Sequence, residues 1–234
     1  MEINTKKIKV IAFDADDTLW TNEPYFREAE QQVAQLLTDY ETANKIHQEL
    51  YKIEIDNLGY YGYGVKGFIL SMIELALDIS NEQISPLVLS KILEIGKEML
   101  GKPIELLEGV KEVLDFLHGD FKLIVATKGD LLDQERKLEK SGLLDYFHHV
   151  EVMSDKKEAD YMKIIKHLEI EPSELLMVGN SLRSDVLPLL AIGAAAVHVP
   201  YHTTWMHEQV SEAEDPKEFY KTLHQLVELK NYFS

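Results

Sequence analysis

From residue 104 onward the chain alternates short apolar runs with segments of helical period, and this alternation restricts the fold more than any other feature. Strand-like runs lie at residues 121–126, 150–153, 175–178 and 195–199, with helical patterns at 110–117, 130–141, 158–168 and 184–190 around them. Strands separated by helices pair in parallel, and the helices cover both faces of the sheet. The run 7–13, rich in β-branched residues and ending at Asp14, Asp16 and Asp17, supplies a first buried strand of the same sheet. Between residues 25 and 100 no strand is legible. Apolar residues recur there at helical spacing: Val33, Leu36 and Leu37; Ile46, Leu50 and Ile53; Phe68, Met72 and Leu75; Leu89, Ile92, Leu93 and Ile95. That is a bundle of about four helices, one of them started by Ser85-Pro86. The expected class is α/β, with a core of residues 1–20 and 104–234 and an inserted all-helical domain of residues 21–103. The stretch 59–67, with four glycines and three tyrosines, reads as a flexible aromatic loop within the insert.

Composition narrows the partners. Lys plus Arg number 24 against 41 Asp plus Glu, a net charge of −17, so the positive field that would hold a nucleic-acid backbone is missing. Cysteine is absent, which excludes disulfides, thiolate metal sites and cysteine nucleophiles. The apolar run after Lys6, Lys7 and Lys9 is too short for a signal peptide, and no stretch approaches the roughly 20 apolar residues of a membrane span. The expectation is a cytoplasmic protein, monomer or homodimer, that engages neither nucleic acid nor membrane.

Sites in parallel sheets form beyond the carboxyl ends of the strands. Strand one ends in Asp14-Ala15-Asp16-Asp17-Thr18 and strand two in Thr127-Lys128-Gly129-Asp130; Asp155-Lys156-Lys157 follows the third, and the fourth ends in Gly179-Asn180-Ser181, with Asp185 beyond. Asp14 and Asp16 are placed for one to act as a nucleophile and the other beside a leaving group. Close carboxylates repel unless a cation joins them, and hard oxygen donors suit Mg²⁺. Thr127 can donate to a phosphoryl oxygen, and a lysine of the third segment can screen charge. Each element alone also has a plain reading: an acidic turn capping a helix, an N-cap threonine, surface lysines, turn chemistry at Asn180 and Asp185.

Together, in this order, they resemble a known family. VIAFDADDTLW, with Asp14 and Asp16, is similar to the first motif of the haloacid dehalogenase (HAD) superfamily. IVATKGD resembles its second at Thr127, Lys157 matches its third with Lys156 adjacent as the alternative, and VGNSLRSDVLPLLAIG resembles its fourth at Asn180 and Asp185. The helical insert resembles the C1 cap of subfamily I. The resemblance implies a Rossmann-like core and hydrolysis of a small phosphorylated metabolite. In that scheme Asp14 forms an aspartyl-phosphate, Asp16 is the acid and base, and Thr127, Lys128 and Lys157 hold the phosphate. Mg²⁺ would be bound by Asp14, the Asp16 backbone carbonyl, Asn180 and Asp185. Asn180 departs from the acid that many relatives carry there. In the cap, Lys66 stands beside the tyrosines as a candidate substrate contact. A phosphomutase on the same scaffold and a noncatalytic binding protein are the competing readings.

Overall fold

The structure, a computed structural model, describes residues 3–233. Six parallel strands form one sheet in the order β3-β2-β1-β4-β5-β6. They are β1 (Val10–Phe13), β2 (Lys122–Lys128), β3 (His149–Met153), β4 (Leu175–Gly179), β5 (Ala195–His198) and β6 (Lys221–Thr222). All four residues of β1 are buried, as a central strand covered on both faces requires. Successive side chains leave it on opposite faces. Ile11 and Phe13 join Leu123, Val125, Leu176 and Val178 against α5 (Val110–Leu117). Val10 and Ala12 join Ile124, Ala126, Leu175 and Met177 against Tyr161, Ile164 and Ile165 of α7 (Glu158–His167) and Leu189 of α8 (Leu187–Ala191). Phe13 pairs with Val125 on one side and Val178 on the other, so β2 runs on past the end of β1 to Lys128 and β4 to Gly179.

The chain divides into two compact units. One holds the residues up to Glu23, Ile104–Lys128, and those from Gln134 onward; the other holds Pro24–Pro103 and Gly129–Asp133. The second unit is built on α1 (Glu23–Leu36), α2 (Ala43–Tyr61), α3 (Val65–Ile79) and α4 (Pro86–Gly101). Their shared core includes Val33, Leu37, Ile46, Leu50, Met72, Leu75 and Ile92. The Ser85 side chain accepts the Val88 N–H, and Pro86 occupies the first turn, where its missing N–H costs nothing.

Two stretches differ from the sequence expectation. The presumed loop 59–67 is mostly helix: α2 runs through Tyr61 and α3 starts at Val65, leaving Gly62, Tyr63 and Gly64 as the turn. Gly62 ends α2 at φ 69°, a left-handed conformation open to glycine. Gly67 lies inside α3, and a Cβ there would stand 2.9 Å from the Gly62 carbonyl oxygen, so its glycine lets the turn close. The region 184–190 is not one helix. Leu182–Val186 forms a π-helical turn that leads into α8, a widening of the kind that recurs at functional sites.

After β5 the chain returns to the sheet. Residues Lys221–Thr222 add β6 beside β5, and the helical turns Leu226–Tyr232 bury Leu226 and Leu229 in the core shared with α5. A two-residue strand carries no periodicity, which is why the sequence did not announce it. Among the described residues no helix is long and apolar enough to cross a membrane.

Candidate active site

Asp14 follows β1 directly, and its N–H still donates to the Val178 carbonyl at 2.9 Å, so the sheet ladder fixes its backbone. Its side chain is almost wholly buried. One carboxylate oxygen, Oδ1, receives the Lys156 ammonium at 2.5 Å, and Oδ2 accepts the Thr18 hydroxyl at 3.1 Å. Lys156 Nζ also donates to Asp185 Oδ1 at 2.7 Å. One buried cation thus joins two carboxylates that are 171 positions apart in sequence, residues 14 and 185. Burial pushes the Asp14 carboxyl up to about 7, against the pull of Lys156 and with a further push from Asp185. Burial works against the Lys156 charge, but Asp14 and Asp185 outweigh it and raise its pKa.

The fourth segment is tied to the first through Thr18. Its hydroxyl lies 3.3 Å from Asn180 Oδ1, and it accepts the Asn180 N–H at 3.1 Å. Asp185 Oδ2 accepts the Ser181 N–H at 3.0 Å, and the Ser181 hydroxyl accepts the Ser184 N–H at 3.1 Å. The π-helical turn therefore aims Asp185 back at the strand end. Gly179 makes room: a Cβ there would lie 2.2 Å from Asp185 Oδ2.

Asp16 has a separate set of partners. Its carboxylate accepts Trp20 Nε1 at 2.7 Å, Gln134 Nε2 at 2.8 Å and Lys137 Nζ at 2.9 Å. Gln134 and Lys137 lie on α6 (Leu131–Ser141), one turn apart and hence on one face. Asp17 takes φ 60°, a left-handed conformation that Asp tolerates better than most residues. Its carboxyl accepts the N–H groups of Asn22 at 2.8 Å and Glu23 at 3.0 Å as the chain leaves the sheet. Burial pushes this group up to about 8.

The third-segment lysine is where structure and expectation part. The resemblance favours Lys157 over Lys156 beside Asp14, but the Lys157 side chain is 71% exposed and pairs with Asp155 at 2.9 Å. Lys156 takes the buried place. The cause is local: Lys157 is the N-cap of α7 in extended conformation, which turns the preceding side chain inward and its own outward. Thr127 is buried at the end of β2, its hydroxyl donating to the Lys128 carbonyl at 3.1 Å. Lys128 reaches Ser184 Oγ at 2.9 Å and forms a close ion pair with Glu208. In the second unit, Lys66 pairs with Asp130 at 2.8 Å.

The sequence after Pro200, with His202, His207 and Glu208, offers either a His/Glu metal set or a packed surface flap, and the structure gives Glu208 a different place. Its carboxylate bonds Lys128, Ser181 and Ser184, drawing residues after β5 onto the ends of β2 and β4. Burial alone would raise its pKa from 4.5, but the Lys128 charge and these hydrogen bonds hold it down at about 2. A depressed carboxyl contributes stability above its unfolded pKa and loses it as pH falls toward the folded value. Glu208→Gln is therefore expected to cost on the order of 3 kcal/mol at pH 7. Urea denaturation checks this: the gap between wild type and variant should narrow as pH falls through 4.5 toward 2. A gap independent of pH would show that the charge of Glu208 contributes nothing.

The site thus gathers two carboxylates around a buried lysine, an amide and a hydroxyl at the carboxyl rim of a parallel sheet. Residues 8–193 match the family model described as haloacid dehalogenase-like hydrolase. The chain belongs to the haloacid dehalogenase-like hydrolases. A HAD-like hydrolase from Xanthomonas campestris superposes with a TM-score of 0.85 at 34% identity, covering 99% of this chain and 94% of that one. Pyrimidine 5'-nucleotidase YjjG of Escherichia coli (strain K12) is 29% identical over 129 residues, 53% of this chain and 56% of its own. N-acylneuraminate-9-phosphatase of Rattus norvegicus is 29% identical over 106 residues, 43% of this chain and 40% of its own. The chain thus spans about half the length of the curated relatives it matches. In this HAD-like chain the segment after β1 and the segment after β4 meet through Thr18, and Lys156, beyond β3, reaches Asp14.

Proposed function

We propose that this chain is a Mg²⁺-dependent phosphatase that hydrolyses a small phosphate monoester through an aspartyl-phosphate at Asp14. The observation that carries the reading is the Asp14 carboxylate at the end of a central strand, held between Lys156 and Thr18 with Asp185 on the same ammonium. In the first step an Asp14 oxygen bonds to phosphorus, the ester P–O bond breaks, and the leaving oxygen takes a proton from Asp16. In the second, Asp16 takes a proton from water, the resulting oxygen bonds to phosphorus, and the Asp14–phosphorus bond breaks to release phosphate. Splitting one displacement into two lowers each barrier. Lys156 offsets the negative charge gathered around the transferring group. Thr127 and Lys128, at the end of β2, are the phosphate contacts in this reading, and the partners of Asp16 on α6 orient its carboxyl.

The donor set fits a hard divalent cation. Asp14 and Asp185 offer carboxylates and Asn180 an amide oxygen, with no nitrogen or sulfur among them. Asp16, its side chain engaged by three donors, would contribute its backbone carbonyl. Bound there, Mg²⁺ would neutralise substrate charge and favour the ionised form of Asp14. Asn180 adds no charge, so the weight of binding falls on the two acids. Two curated relatives act, by their names, on a pyrimidine 5'-nucleotide and on N-acylneuraminate 9-phosphate, which sets the classes to test.

The test is a panel of p-nitrophenyl phosphate, nucleoside monophosphates and sugar phosphates, assayed with Mg²⁺ and with excess EDTA. Turnover is expected only with Mg²⁺ and should return when the ion is restored. Activity that survives chelation overturns the metal requirement, and an inert panel overturns the phosphatase reading.

A further inference from the structure

We propose that His149, Glu151 and His167 form a surface site for one divalent transition-metal ion of the zinc type, separate from the proposed catalytic centre. His149 and Glu151 lie two apart on edge strand β3, so their side chains leave the same face. His167, the last residue of α7, comes to that face as the helix runs back along the sheet. His149 Nε2 and His167 Nδ1 each stand 2.9 Å from the same oxygen, Glu151 Oε1. All three ligand atoms fall within 4.8 Å of one another, the one such grouping of His, Asp or Glu among the described residues.

A zinc ion with bonds of about 2.0–2.2 Å separates its ligands by roughly 3–3.5 Å, so a slight opening of the cluster admits it. His167 has the freedom for that adjustment, being 68% exposed at a helix end. Two imidazoles and one carboxylate match the ligand preferences of zinc, nickel and copper, whereas Mg²⁺ favours oxygen donors. The geometry also supplies an outer contact. His148 Nδ1 lies 2.8 Å from His149 Nδ1, leaving Nε2 to face the cluster, and such a partner orients a ligating ring. The net charge of −17 favours cation capture. The cluster lies at the start of β3, whereas Lys156 follows its end; four strand steps alone separate the two by about 13 Å. A bound ion would pin the end of α7 to the edge strand at the base of the unit that carries Lys156.

The experiment is calorimetric titration of Zn²⁺ into the full chain in saturating Mg²⁺, with Co²⁺ absorption as a second readout of imidazole ligation. Wild type and the Asp14→Asn variant are expected to bind one equivalent, and zinc should raise the thermal midpoint of both. His149→Ala/His167→Ala should lose that equivalent, and His148→Phe should weaken it about 10-fold or more. His167→Ala alone, at an exposed position, serves if the double variant does not fold. Equal binding by wild type and the His167 variant, or no zinc binding by wild type, overturns the site. Loss of the equivalent in Asp14→Asn alone would assign it to the catalytic rim instead and also overturn the proposal.

Discussion

Asp14→Asn is expected to lower turnover of p-nitrophenyl phosphate by roughly 10⁴-fold or more, because the variant keeps the side chain's shape and loses the proposed nucleophile. The substitution preserves shape, and its amide oxygen still accepts from Lys156 or Thr18, the two partners of the native side chain. Stability argues the same way. Burial pushes the Asp14 carboxyl up to about 7, so the fold resists its charge, and a neutral amide removes that opposition. The variant should melt no lower than the wild type when metal is chelated. Loss of activity with an intact melting transition is then a chemical effect. Residual turnover within about a hundredfold of wild type would remove Asp14 from the role of nucleophile.

Lys156→Met is the second large effect, and Lys157→Met is its control. Removing the Lys156 ammonium leaves Asp14 and Asp185 buried together with no cation between them, and uncompensated buried charge costs about 3–5 kcal/mol. One of the two acids must take up a proton or a metal ion, so Mg²⁺ should recover part of the loss in urea denaturation. Turnover should fall as well, because Lys156 donates directly to Asp14. Lys157 is exposed and paired with Asp155 in solvent, where such contacts carry little, so its loss should leave the denaturation midpoint nearly unchanged. Comparable damage from the two substitutions would reverse the assignment.

These two lysines show where sequence reading stops. The strand before them is legible from its apolar run, and the need for a cation there follows from the acids on neighbouring strand ends. Which of two adjacent lysines turns inward depends on backbone dihedrals in the turn between β3 and α7, and the side-chain pattern does not encode those. Asp16 poses the same difficulty. Its place in the first motif is plain, yet Gln134 and Lys137, which hold it, look like an exposed helical face until the phase of α6 against the sheet is known. Thr18 lies within the first motif, and a hydroxyl four residues after Asp14 stands ready to cap a turn. Nothing local in the sequence marks the partners of Glu208, since Lys128, Ser181 and Ser184 lie 24 to 80 positions away.

By itself the sequence determined the layering, because strands buried on both faces must be continuous apolar runs and helices between them must show their 3.6-residue period. It also determined that acids, a hydroxyl and an amide end successive strands, since parallel pairing brings those ends to one rim. Tertiary structure alone decided which lysine joins Asp14 to Asp185, how Asp16 is held, and that a glutamate from beyond β5 closes the fourth segment. It also decided that two histidines and a glutamate meet at the far end of β3. Each of these depends on side chains distant in sequence, whose meeting is set by the packing of α6, α7 and the returning C-terminal segment rather than by local pattern.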